Sequence, residues 1–132
     1  VQGLNGFAWP ATWMSVEKPL SPAAKAGFLA PYGSASVRRA VADFVADIPM
    51  EAEHPTRSVL AGVEASLAGL KGKPMLLCWG MRDFCFDRSF LEGFITRFPA
   101  AQQLPFADAG HYVLEDTGEA ALGPIAAFFG PA

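Results

Sequence analysis

The stretch "PMLLCWGMRDFCFDRSFLEGFITRFP", Pro74 to Pro99, changes period partway along. Met75 to Trp79 is an unbroken apolar run of strand length, the pattern of a parallel strand buried on both faces. From Asp87 the spacing becomes helical: Phe90, Leu91, Phe94, Ile95 and Phe98 form one stripe, with Asp87 placed to cap it and Pro99 to stop it. Between strand and helix lies a lone carboxylate among aromatics, Asp83, three residues beyond Gly80.

The pattern continues in both directions. "AQQLPFAD", Ala101 to Asp108, reads as a second strand, and Pro105 points to an edge position or a late irregularity. "DTGE", Asp116 to Glu119, has capping-box spacing and opens a last helix rich in alanine and phenylalanine, with Pro124 expected to kink it. Upstream, Val59, Leu60, Val63, Leu67 and Leu70 mark a helix beginning at Thr56 or Ser58 and closed by Gly72. The order helix, strand, helix, strand, helix implies an α/β fold with a parallel sheet covered by helices. Two strands leave both sheet edges open and helix faces uncovered, so further strands are expected from a partner chain, a second copy or residues outside this sequence.

The first fifty residues read as a discontinuous helical region. "VQGLNGFAW", at the start, has the character of the middle of an apolar helix and suggests a fragment. Pro22, after the candidate cap Ser21, opens a short helix that stops at Pro31 and Gly33. Val37, Ala40, Val41, Phe44 and Val45 form an amphipathic stripe ending before Pro49. The polar "MEAEHPTRS" breaks the periodicity, which divides the chain into residues 1–50 and 51–132, with His54 in the link as a loop histidine.

With 132 residues, 52% of them hydrophobic, the chain has the composition of one folded domain. Ten scattered Lys and Arg against thirteen Asp and Glu give a net charge of −3, no footprint for nucleic acid or an anionic membrane. No run approaches the roughly 20 apolar residues of a membrane span, and the first ten residues lack the features of a secretory leader; a soluble, cytoplasmic protein is expected by default. Cys78 and Cys85 form no CxxC pair, and with only two histidines no metal site is expected, nor any cofactor.

In open parallel sheets functional groups collect beyond the carboxyl ends of the strands. Asp83 follows the first strand and His111 the second, in "LPFADAGH", so both are expected on one rim. An aspartate accepting a ring N–H fixes the imidazole tautomer and leaves the other nitrogen as a general base. Gly80 and Gly110 are expected to make tight turns there, with Trp79, Phe84, Phe86 and Tyr112 around a water-poor pocket.

Taken together, "PMLLCWGMRDFCF" and "FADAGHYVLED" resemble the C-terminal third of an α/β-hydrolase, in the subgroup of haloalkane dehalogenases, epoxide hydrolases and related esterase-like enzymes. The resemblance covers about residues 55–130. It implies that Asp83 is the triad acid, that His111 is the triad histidine, and that Glu115 and Asp116 match an acidic pair that often follows it. The first fifty residues are similar to the helical cap of these enzymes, which implies an apolar substrate cavity lined in part by Trp9 and Trp13, with Phe84, Phe86 and Tyr112 also at the substrate. Either tryptophan could donate its indole N–H to a halide or carbonyl oxygen.

The family's nucleophile elbow, G-x-S-x-G or G-x-D-x-G, has no counterpart. "YGSAS" at Tyr32 to Ser36 lacks the second glycine, and "FADAG" at Phe106 to Gly110 lacks the first. Cys85 has no elbow or oxyanion donors to make it a substitute. The expectation is therefore a cap plus C-terminal core whose nucleophile half lies outside the sequence, inactive alone. Its intact parent would process a small or medium apolar substrate through a covalent ester, with dehalogenase-like chemistry modestly favoured over esterase chemistry and epoxide-opening and lactone-opening activities left open. The alternative is a non-catalytic interaction module. Either can assemble as a homo-oligomer or with a complementing N-terminal half.

Overall fold

The computed structural model describes residues 5–130. Seven α-helices and two strands follow in the order α1 (Ala8–Met14), α2 (Pro22–Leu29), α3 (Arg38–Ala46), α4 (Thr56–Ser66), β1 (Leu76–Gly80), α5 (Arg88–Arg97), β2 (Gln102–Phe106), α6 (Val113–Thr117) and α7 (Glu119–Phe129). They fall into two compact units: residues 5–10 with Ala23–Lys73, and Ala11–Pro22 with residues 74–130.

The first unit is helical. Pro22 opens α2, and a 3-10 turn over Ala30–Tyr32 carries Pro31 past the helix end. α3 and α4 form where the apolar periodicity requires, and α4 tightens into a 3-10 turn over Leu67–Leu70 before Gly72. None of α2, α3 and α4 has a buried residue. The apolar stripes of α3 and α4 face solvent in this chain, Phe44 at 77% exposure and Val59 at 62%. His54 has a structural place in the link: its Nε2 lies 3.2 Å from Ala46 O, and its Nδ1 accepts from Thr56 N at 3.3 Å. Of the apolar helix expected at the start, Val1 to Leu4 lie outside the described residues. Asn5–Phe7 form a turn with Asn5 at φ 49°, and helix begins only at Ala8.

The second unit contains a β–α–β arrangement. β1 and β2 pair in parallel, Leu76 opposite Gln102 and Gly80 opposite Phe106. Gln102 N donates to Met75 O at one end and Met81 N to Phe106 O at the other, both at 2.9 Å. Even-numbered residues of β2 therefore present their backbone to β1, and Pro105, directed away, costs the ladder no hydrogen bond. The edge expectation for Pro105 has this physical basis. Among the described residues the sheet has only these two strands.

Helices cover the sheet. Trp79 meets Phe94 of α5 with ring centroids 6.0 Å apart, and α6 and α7 pack against β1. Leu77, Leu91, Phe98, Ala109 and Ala121 make the buried apolar core, drawn from β1, α5, the β2–α6 loop and α7. Asp87 caps α5 as expected, its Oδ1 accepting from Ser89 N at 2.8 Å. The capping box read from "DTGE" does not form. Asp116 lies inside α6, Gly118 at φ 53° separates α6 from α7, and no side chain caps α7. The Asp116 carboxylate is instead occupied by the backbone amides of Glu17, Lys18 and Gly110.

Candidate active site

Two loops leave the carboxyl ends of adjacent parallel strands, and both are held to the sheet. Beyond β1 the chain turns at once, Asp83 N donating to Gly80 O at 3.2 Å. Beyond β2 the chain folds back over that turn, with Arg82 N donating to Ala109 O at 2.9 Å. A Cβ on Gly80 would lie 2.1 Å from Gly110 O and 2.7 Å from Ala109 O. Gly80 opens the tight turn read from the sequence, and it is glycine because the histidine loop's backbone lies on top of it. The same contact brings Asp83 and His111 within reach of each other.

Asp83 Oδ2 lies 2.9 Å from His111 Nδ1, while its Oδ1 accepts from Cys85 N at 2.8 Å and Phe86 N at 2.9 Å. The carboxylate thus caps its own turn with one oxygen and holds the imidazole with the other. Its side chain is 8% exposed, against 28% for His111. Burial pushes the Asp83 carboxyl up, but the Phe86 amide, the His111 ring and the Cys85 amide together outweigh it and hold the group below its ordinary value. Asp83 is therefore ionised at neutral pH and can only accept, so His111 Nδ1 carries the proton. Nε2 is then the ring nitrogen that can accept a proton.

Aromatic rings surround the imidazole. Phe86, Tyr112 and Phe84 have centroids 5.4, 5.8 and 6.1 Å from that of His111. Phe90 of α5 extends the cluster edge-on to Phe86 at 5.3 Å. Three of the five expected substrate-contacting residues are thus gathered at the Asp83–His111 pair. Phe84 is 62% exposed, so the rings line a rim open to solvent in this chain and not a dry pocket. Trp13 also faces solvent, on α1. Trp9 belongs to the helical unit, where Lys25 Nζ lies 5.3 Å from its ring centroid.

Trp79 does not join the rim. It turns toward α5, and its indole N–H donates to Phe86 O at 2.8 Å, fixing the far end of the Asp83 loop. Two more anchors were not legible in the sequence. Arg82 pairs with Asp108 Oδ1 at 2.7 Å and Glu17 Oε2 at 3.0 Å, and these partners push its already high pKa further up. Asp116 ties the histidine loop to Glu17 and Lys18. The acidic pair after the histidine was the only available signal for Asp116. Its partners lie 98 and 99 residues away, beyond the reach of any local pattern.

Both cysteines are free, Cys78 in β1 with its thiol pushed up by burial, and Cys85 exposed. Among the described residues no cluster of His, Cys, Asp and Glu could hold a metal ion, and no helix is long and apolar enough to cross a membrane.

A parallel sheet flanked by helices and preceded in the chain by a helical cap-like region is the fold of part of an α/β-hydrolase core. The relatives agree with that class. Over 128 residues, 97% of its length, the chain is 34% identical to a cis-3-alkyl-4-alkyloxetan-2-one decarboxylase from Xanthomonas campestris pv. campestris. It is 35% identical over 129 residues to a protein of the same name from Shewanella oneidensis. The chain spans 43% and 41% of the length of these curated relatives. It is a partial match to enzymes of the α/β-hydrolase superfamily, and the match does not single out the dehalogenase and epoxide hydrolase subgroup. No protein-family model matches the chain.

Proposed function

We propose that residues 51–132 supply the acid and the histidine of an α/β-hydrolase-type active site, Asp83 and His111, and that residues 1–50 form its cap-like region. The nucleophile comes from outside this sequence. The observation that carries the reading is the 2.9 Å contact between an ionised, turn-capping Asp83 and His111 Nδ1 at adjacent strand ends. Asp83 fixes the tautomer and stabilises the imidazolium; His111 Nε2 takes or returns the proton as a covalent ester forms and breaks. Phe84, Phe86 and Tyr112 present apolar surface to the substrate.

The substrate class best supported is an oxetan-2-one carrying alkyl groups at carbons 3 and 4, because both relatives are named for it at 34% and 35% identity. Its decarboxylation breaks the bond between carbons 2 and 3 and the bond between the ring oxygen and carbon 4, giving carbon dioxide and an alkene with no net water. Halide displacement, the dehalogenase-like reading, would employ the same acid–histidine pair but lacks this support.

The test is a graft. The 132 residues replace the matching stretch of the Xanthomonas relative, and the chimera is given a cis-3,4-dialkyloxetan-2-one or a haloalkane. Release of carbon dioxide and alkene from the oxetanone is expected, and none from the 132 residues alone. A folded chimera that frees halide but no carbon dioxide would overturn the substrate assignment, and turnover by the isolated chain would overturn the external nucleophile.

A further inference from the structure

We propose that Asp116 is a positioning residue for His111, holding the histidine loop at the geometry in which the ring meets Asp83. The inference rests on the reading of His111 as the working base and assigns a residue that this reading does not use. Asp116 is 3% exposed, yet its carboxylate is fully engaged. Oδ1 accepts from Glu17 N and Lys18 N, both at 2.9 Å; Oδ2 accepts from Gly110 N at 2.7 Å and from Glu17 N at 3.1 Å. The Asp116 backbone oxygen accepts from Lys18 Nζ at 2.7 Å.

The consequence lies in where those amides are. Gly110 immediately precedes His111, and Tyr112 immediately follows it. Gly110 N is held by Asp116, while Tyr112 N donates to Ser15 O at 2.7 Å, on the same Ser15–Lys18 segment that Asp116 grips. The residues on either side of the histidine are therefore each tied by a backbone amide to one anchor, with Asp116 as its hub. There is no slack for a side chain at the junction: a Cβ on Gly110 would lie 3.2 Å from Ser15 O and 3.4 Å from Asp116 Oδ2. With its neighbours fixed, the imidazole is left mainly side-chain rotation, and Asp83 selects the rotamer.

A carboxylate is needed because its two oxygens serve two groups of donors. Asparagine has one acceptor oxygen, and its amide nitrogen would face N–H donors. Asp116→Asn can satisfy the Glu17 and Lys18 amides or the Gly110 amide, but not both groups.

The experiment uses the 132-residue chain and needs no turnover, so it can fail independently of the proposed activity. The readout is solvent exchange of the His111 Nδ1–H proton, followed by NMR. In Asp116→Asn this exchange is expected to quicken by about tenfold or more, the factor equivalent to losing one net hydrogen bond. Leu91→Ala, a truncation in the buried apolar core at a position on α5 outside both loops, serves as the comparison. Unchanged exchange in Asp116→Asn, or equal quickening in a Leu91→Ala chain of similar stability, overturns the proposal. If Asp116→Asn does not fold, Lys18→Ala decides. It removes only the ammonium contact with the Asp116 carbonyl, and a smaller quickening supports the proposal, whereas none overturns it.

Discussion

Asp83 divides its carboxylate between two tasks, one oxygen on the amides of Cys85 and Phe86 and the other on the Nδ1 of His111. Turn-capping and imidazole orientation are commonly alternative explanations of a strand-end aspartate, but here one group does both. Asp83→Asn keeps an acceptor for the two amides, whereas Asp83→Ala leaves both without one. Urea denaturation should show Asp83→Ala less stable than Asp83→Asn by about 1–2 kcal/mol, and the protected His111 Nδ1–H signal should be lost in both. Equal stabilities would mean that the amide contacts contribute little.

The same contacts give the fold a pH dependence with a defined sign. The Asp83 carboxyl lies below its ordinary value in the folded chain, so the folded state favours its ionised form. That contribution is fully present above the unfolded carboxylate pKa of about 3.9 and disappears as pH falls through the lower folded value. The stability difference between the parent chain and Asp83→Asn, measured by denaturation at successive pH values from about 4 downward, should shrink as pH falls. A difference that grows over that acid range would contradict the assignment.

Two glycine-to-alanine substitutions should act in opposite directions. Gly80→Ala drives a Cβ into the backbone oxygens of Gly110 and Ala109, which cannot yield without moving the histidine loop. A loss of about 3 kcal/mol or more is expected, together with loss of the His111 Nδ1–H signal. Gly93 lies within α5 with open space where its Cβ would be. Gly93→Ala should stabilise the chain by about 0.5–1 kcal/mol in thermal or urea denaturation.

At the start of α5, Asp87 is held ionised by the Ser89 hydroxyl and amide against a small opposing effect of burial, with a further contribution from the Phe90 amide. Asp87→Ala should lower the urea midpoint and leave the His111 Nδ1–H signal in place.

The sequence disclosed the elements whose signal is local. The apolar run of β1, the stripe on α5 and its Asp87 cap each follow from short-range pattern, and β2 was readable despite Pro105 because its backbone points away from β1. The contact between Asp83 and His111 could be anticipated because each lies in the loop beyond a strand's carboxyl end. What stayed hidden depends on long-range contact. Gly80 owes its identity to the loop beyond β2, Trp79 turns from the rim to Phe94, and Asp116 abandons a helix cap for amides of Glu17, Lys18 and Gly110. The exposed stripes of α3 and α4 show the complementary limit: periodicity specifies an apolar face but not what covers it.

In the proposed function His111, oriented by Asp83, is the base of a covalent catalytic cycle. The most direct test of that role is His111→Ala in the chimera that carries these 132 residues in the Xanthomonas relative, with carbon dioxide release from a cis-3,4-dialkyloxetan-2-one as the assay. The account predicts a fall in kcat of about 10²–10⁴-fold in a protein that remains folded. A folded His111→Ala chimera that retains the parent chimera's turnover would contradict it.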